Sequence, residues 1–185
     1  MLGVSSVVLC VTNLKNKGSV FMFKDIIEKK IMTLEQAISW RADLKSADKK
    51  LVMTNGCFDI LHRGHITYLM RARDLGDALI LAINSDRSVR ELKGSSRPVT
   101  IENDRAFVLS SLMFIDGVVI FDTKRCDGII NAIKPDIYVK GADYNLDTMD
   151  VAERNALESV GSEIAFISFV EGYSTTSIIK KVNQP

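Results

Sequence analysis

The chain has only two histidines and three cysteines in 185 residues. It also has no apolar run near the roughly 18 to 20 residues that a membrane-spanning helix requires. The best early stretch, Val7 to Val11, is far too short, so no membrane role is expected. Cys10, Cys57 and Cys126 are odd in number and scattered, which argues against a disulfide framework and for reduced thiols in a cytoplasmic protein. Neither sign of charge dominates: 24 Lys and Arg stand against 23 Asp and Glu. That balance excludes a broad nucleic-acid or anionic-membrane surface, and any anionic ligand must be held locally. The first positive charge, Lys15, follows the apolar run, and no small-residue cleavage pattern closes it, so no signal peptide is expected.

What is present suits one domain. With 46% hydrophobic residues and no repeat, linker or low-complexity segment, the chain can bury roughly 70% of its unfolded surface without staples. Residues 1–22 read as an ill-defined extension with Met22 as an alternative start, and 23–185 as the domain. Thr33 with Gln36 resembles a capping box, and a helix is expected from there to the charged Lys45 to Lys50. Beyond it, short β-rich runs alternate with helical patterns. The strand candidates are 51–55, 78–84, 117–121, 136–140 and 163–168, most of them apolar on both faces. Apolar strands separated by helices imply parallel pairing with right-handed crossovers and helices on both faces. The expectation is a doubly wound α/β domain with a mainly parallel, five-stranded sheet, whose ligands bind beyond the carboxyl ends of its strands.

The most informative stretch leaves the first of these strands. Asn55, Gly56, Cys57, Phe58 and Asp59 lead through Ile60 and Leu61 to His62, Arg63, Gly64 and His65, where a helical pattern begins. A strand that turns through glycine into a helix points backbone N–H groups and the positive end of the helix dipole at one spot, which suits phosphate. His62 and His65, three residues apart at that helix start, face the same way and add side-chain donors. Two histidines at this spacing also fit a metal pair or satisfied core positions. Phosphate binding is preferred, because both histidines flank glycine in a turn and Cys57 is too close to complete a zinc tetrahedron.

Other segments fall at later strand ends. A polar stretch runs from Arg87 to Lys93, Gly94, Arg97 and Pro98, by default a solvated loop. Arg105 follows in a helix, where capping or pairing with Asp104 is the plain alternative. Lys140, Gly141, Ala142, Asp143 and Tyr144 end the fourth strand, with Gly141 open to close backbone approach. Gly172 leads to Ser174, Thr175 and Thr176 at the start of a last apolar helix, where hydroxyls and free N–H groups can cap the helix or hold phosphate oxygens.

The run Gly-Cys-Phe-Asp-x-x-His-x-Gly-His resembles the signature of the cytidylyltransferase-like nucleotidyltransferases, and the likeness extends from about Lys30 to Val182. Lys-Gly-Ala-Asp-Tyr is similar to the Lys-Gly-Gly-Asp-Tyr of the family's heptose-phosphate branch. The resemblance implies transfer of AMP from ATP, with Mg²⁺, to a sugar phosphate, D-glycero-β-D-manno-heptose 1-phosphate in that branch, by a stand-alone homodimer. It assigns catalysis to His62, His65 and Lys93. It assigns the nucleotide to Asn55, Gly56, Cys57, Phe58, Arg105, Gly172, Ser174, Thr175 and Thr176, and the acceptor to Asp59, Lys140, Gly141 and Asp143. No protein metal ligand is implied. Cytidylyltransferase relatives carry an arginine shortly before Ser-Thr-Thr, whereas Phe169 and Val170 stand here, which favours adenosine. Asn103 and Ala142 are departures, replacing an acidic residue and a glycine. The alternatives are a glycerol-3-phosphate cytidylyltransferase, a nucleotide-binding protein without turnover, and a dinucleotide oxidoreductase, the last disfavoured because the first turn lacks G-x-G-x-x-G. A phosphate monoester is already ionised at neutral pH, its second pKa being about 6, so the transfer needs alignment and positive charge more than a base.

Overall fold

The computed structural model describes residues 22–141, 145–168 and 175–182, with Thr176, Ser177 and Lys180 in backbone only. Asp143, Gly172 and Ser174 lie outside the described residues. In chain order the elements are α1 (Phe23–Glu28), β1 (Ile31–Met32), α2 (Leu34–Ser46), β2 (Leu51–Gly56), α3 (Arg63–Arg73), β3 (Ala78–Asn84) and α4 (Asp86–Lys93). There follow α5 (Glu102–Ser110), β4 (Gly117–Phe121), α6 (Asp127–Ile133), β5 (Ile137–Gly141), α7 (Val151–Val160), β6 (Glu163–Ile167) and α8 (Thr175–Val182).

All strand pairs are parallel, in the order β1-β4-β3-β2-β5-β6. The five expected strands are present within a residue or two, and among the described residues the sheet has six strands, not five. The additional one, β1, is a two-residue edge pairing Ile31 with Val118 and Met32 with Val119, too short to show any alternation in sequence. Just before β5, the Asp136 carboxylate links two other elements. One oxygen accepts from the Leu51 amide at 2.7 Å and the other from Arg41 Nη2 at 2.7 Å.

The period-two geometry of a strand sorts the core into two layers. Leu51, Met53, Ile80 and Ala82 pack with Ala37, Ile130 and Leu157 from α2, α6 and α7 on one face. Val52, Leu79, Leu81 and Ile83 pack with Leu69, Ala72, Ala106 and Leu109 from α3 and α5 on the other. All seven residues of β3 are buried, as a central strand covered on both sides requires. The capping box forms: Thr33 Oγ1 accepts from the Gln36 amide at 3.2 Å, and Gln36 Oε1 accepts from the Thr33 amide at 2.8 Å.

The chain leaves β2, builds outward through β3 and β4, then returns to the other side of β2 for β5 and β6. The strand order therefore reverses between β2 and β5, and the crevice at their carboxyl ends is where such sheets bind ligands. The polar stretch after β3 is not an open loop. Ser85 caps it by accepting from the Ser88 amide, and α4 runs to Lys93, ending at Gly94 with φ of 93°.

Candidate active site

A cavity of about 490 Å³ opens at this crevice, walled by the ends of β2, β3 and β5 and the starts of α3 and α8. Its lining includes Asn55, Gly56, Cys57, Phe58 and Asp59, then His65, Lys93, Lys140, Gly141 and Thr175. Most of the described residues assigned from sequence thus meet in one space. His62 does not border it directly. It caps α3, its Nδ1 accepting from the His65 amide at 3.3 Å, and its ring stacks on that of His65 with centroids 3.8 Å apart and planes 18° from parallel.

Local chain geometry sets this pair. Phe58 takes a positive φ of 46°, unusual for a bulky side chain and of the kind found at functional turns. Its ring then lies across Gly56 and meets His65 edge-on at 5.4 Å. A Cβ on Gly56 would stand 3.0 Å from the Phe58 ring, so the turn requires glycine for close approach. Burial, then the neighbouring His62 and Lys93, push the His65 imidazole down to about 4, so at neutral pH it is an uncharged ring with one N–H to donate. Burial lowers His62 as well. Burial pushes the Cys57 thiol up, against the pull of Lys93 and Arg105, which removes it as a nucleophile at neutral pH.

Two assignments acquire a different physical role. Asp59 is only 4% exposed, and its oxygens are committed to the segment before α5. Oδ1 accepts from the amides of Val99 at 2.8 Å and Thr100 at 2.9 Å, and Oδ2 accepts from Arg97 Nε. Its carboxylate therefore fastens the 97–100 segment over the turn, although the residue borders the cavity. Arg105 is buried and pairs with Asp86 at 2.9 Å, not with Asp104 at the surface. It also donates to the carbonyls of Thr100, Cys57 and Asn84, tying the ends of β2 and β3 to the starts of α4 and α5. With its side chain fully buried and bonds made from all three nitrogens, that guanidinium acts on the site by holding its frame.

Lys140 is likewise engaged. Its Nζ lies 2.8 Å from Glu153 Oε2 and 2.9 Å from Asn55 Oδ1, which also accepts from Tyr138 at 2.9 Å. Thr175 opens α8 on the cavity, and its Oγ1 reaches the Ile60 carbonyl at 3.4 Å. Thr176 is described in backbone only. Sequence reasoning missed Tyr68, Asn84, Leu92 and Lys124, which also line the cavity, and Glu153 beneath it. Of these, Lys124 had a usable signal, a cation just past the carboxyl end of β4 in a sheet that binds ligands at such ends. Among the described residues no three His, Cys, Asp or Glu side chains cluster to hold a metal.

Known proteins share this fold and much of this sequence. At 30% identity, a lipopolysaccharide core biosynthesis protein of Thermoplasma volcanium GSS1 superposes with a TM-score of 0.55, covering 68% of this chain and 99% of its own. A pantoate-beta-alanine ligase of Francisella tularensis, 14% identical, shares the fold with a TM-score of 0.53, covering 80% of this chain and 75% of its own. Bifunctional protein HldE of Campylobacter concisus is 50% identical over 158 residues, 83% of this chain and 30% of the relative. HldE of Campylobacter fetus is 47% identical over 176 residues, 93% of this chain and 34% of the relative. The chain thus spans about a third of the length of the curated relatives it matches. The family model for cytidylyltransferase-like proteins matches residues 53–181, the segment that carries both helix starts, and the chain belongs to the cytidylyltransferase-like family.

Proposed function

We propose that this domain, residues 23–185, is an adenylyltransferase that moves AMP from ATP to a sugar 1-phosphate, D-glycero-β-D-manno-heptose 1-phosphate, releasing pyrophosphate. The observation that carries the reading is the convergence of His65, Lys93 and the α8 start at Thr175 on one cavity, with His62 stacked on His65. The heptose acceptor is supported by Lys140-Gly141-Ala142-Asp143-Tyr144, by the HldE relatives, and by the lipopolysaccharide core neighbour.

A phosphate oxygen of the sugar attacks the α-phosphorus of ATP. A new O–P bond forms, the bond from the α-phosphorus to the bridging oxygen breaks, and that oxygen leaves with pyrophosphate. The nucleophile is already ionised, so the uncharged His65 serves as a donor and not as a base. Lys93, His65 and the α8 amides face charge that grows on the departing group, with His62 stacked behind His65, and one well-aimed donor there is worth on the order of 10² to 10³ in rate. The donor set fits a Mg²⁺ that arrives on the triphosphate, since Asp59 is committed to the 97–100 segment and no acidic cluster faces the cavity among the described residues. Magnesium would neutralise phosphate charge. A cytoplasmic homodimer completes the proposal, and solution sizing tests the dimer.

Pyrophosphate release with ATP or CTP against sugar 1-phosphates and glycerol 3-phosphate is the decisive assay. Release with ATP and the heptose 1-phosphate is expected. Release with CTP and glycerol 3-phosphate alone would overturn the proposal.

A further inference from the structure

Glu153 belongs to α7, does not border the cavity, and is 4% exposed, yet both of its carboxylate oxygens are engaged. Oε1 accepts from the Cys126 amide at the start of α6 at 3.1 Å, and Oε2 meets Lys140 Nζ at 2.8 Å. Lys140, itself 12% exposed in its side chain, passes the constraint to Asn55 Oδ1 at 2.9 Å. The ammonium can only donate, so the Asn55 atom that faces Lys140 and Tyr138 must be the oxygen. The carboxamide N–H₂ is then turned away from them at a residue that lines the cavity.

A buried ion pair is a poor device for stability alone, because well-packed apolar residues of similar volume serve as well or better. This pair lies under the wall of the binding cavity, one end locked to a helix start and the other to a cavity residue. Resting on the adenylyl-transfer reading, we propose that Glu153 is a positioning residue for the acceptor side of the site: through Lys140 it fixes the carboxamide of Asn55, a residue the family resemblance assigns to the nucleotide, as a donor to the sugar phosphate instead.

The test is a double-mutant cycle of Glu153→Gln and Lys140→Met. The substitution Glu153→Gln keeps an oxygen for the Cys126 amide while releasing Lys140, and the double variant removes both buried charges and guards against misfolding. Glu153→Gln is expected to raise KM for the sugar phosphate about tenfold, the scale of one lost charged hydrogen bond, with KM for ATP within twofold. In the Lys140→Met background the same substitution is expected to add less than twofold, because it acts through the lysine. Full additivity, or equal losses for both substrates, would overturn the positioning role.

A second readout needs no turnover. The Asn55 side-chain N–H₂ resonances, assigned with Asn55→Asp, are expected to move in Glu153→Gln and to be unaffected by it in the Lys140→Met background. If the wild-type protein transfers no AMP, the functional reading fails, while these resonances still decide the positioning claim. Unmoved resonances in Glu153→Gln would refute it.

Discussion

The imidazoles of His62 and His65 stack with their centroids 3.8 Å apart, and the His65 amide donates to His62 Nδ1. The first ring thereby serves the backbone of the second. Two parallel rings this close repel if both are charged, and half-burial of His65 adds to the penalty, so the resting pair is neutral. A neutral ring at a helix start can donate to developing negative charge without trapping the ground-state triphosphate too tightly.

Replacement of His65 by alanine is therefore expected to lower kcat by about 10²-fold while KM for ATP changes little, because the lost contact strengthens only as charge moves to pyrophosphate. Steady-state kinetics with ATP varied at saturating sugar phosphate measures the split. An unchanged kcat with a raised KM would contradict the role.

The same pair gives a pH dependence of folding. The folded pKa of His65, about 4, lies below its ordinary 6.5, so between these values the unfolded chain binds more protons than the native one. Stability is then highest above pH 6.5 and falls as pH drops toward 4, with His62 contributing in the same direction. Thermal midpoints measured across that range should fall with acid in the wild type and more shallowly in His65→Gln.

Arg105 predicts a loss of structure that a lysine does not mend. Its guanidinium reaches three carbonyls and one carboxylate in different directions, a geometry a single ammonium cannot reproduce. Arg105→Lys is expected to destabilise the domain by about 2 to 4 kcal/mol, since buried acceptors are left unpaired. Chemical denaturation measures it, and a change under about 0.5 kcal/mol, the scale of ordinary surface substitutions, would show the clamp to be dispensable.

Gly56→Ala tests the turn. The added methyl would lie 3.0 Å from the Phe58 ring, forcing that ring from its edge-on contact with His65. Stability is expected to fall by about 1 to 3 kcal/mol, as for overpacking elsewhere, with kcat reduced alongside. Wild-type turnover in this variant would show that Phe58 does not position His65.

Much of this was legible locally. The β3 strand reads as a buried strand because its run Ala78–Asn84 is almost wholly apolar, and the α2 start reads as a cap because Thr33 and Gln36 are three residues apart. The two-residue β1 was not legible, since its only reason to exist is the free edge of β4. Lys93 was found by resemblance, but its place at the end of a helix with φ of 93° at Gly94 needed the tertiary structure.

By itself, the sequence determined the parallel α/β plan and the glycine turn into a helix at His62 and His65, because periodicity, capping and glycine chemistry act over a few residues. Only the tertiary structure decided what Asp59, Arg105 and Lys140 do. Their partners, Val99, Cys57 and Glu153, are supplied by other elements, and nothing in the local pattern says whether a buried charge will meet a ligand or another side chain.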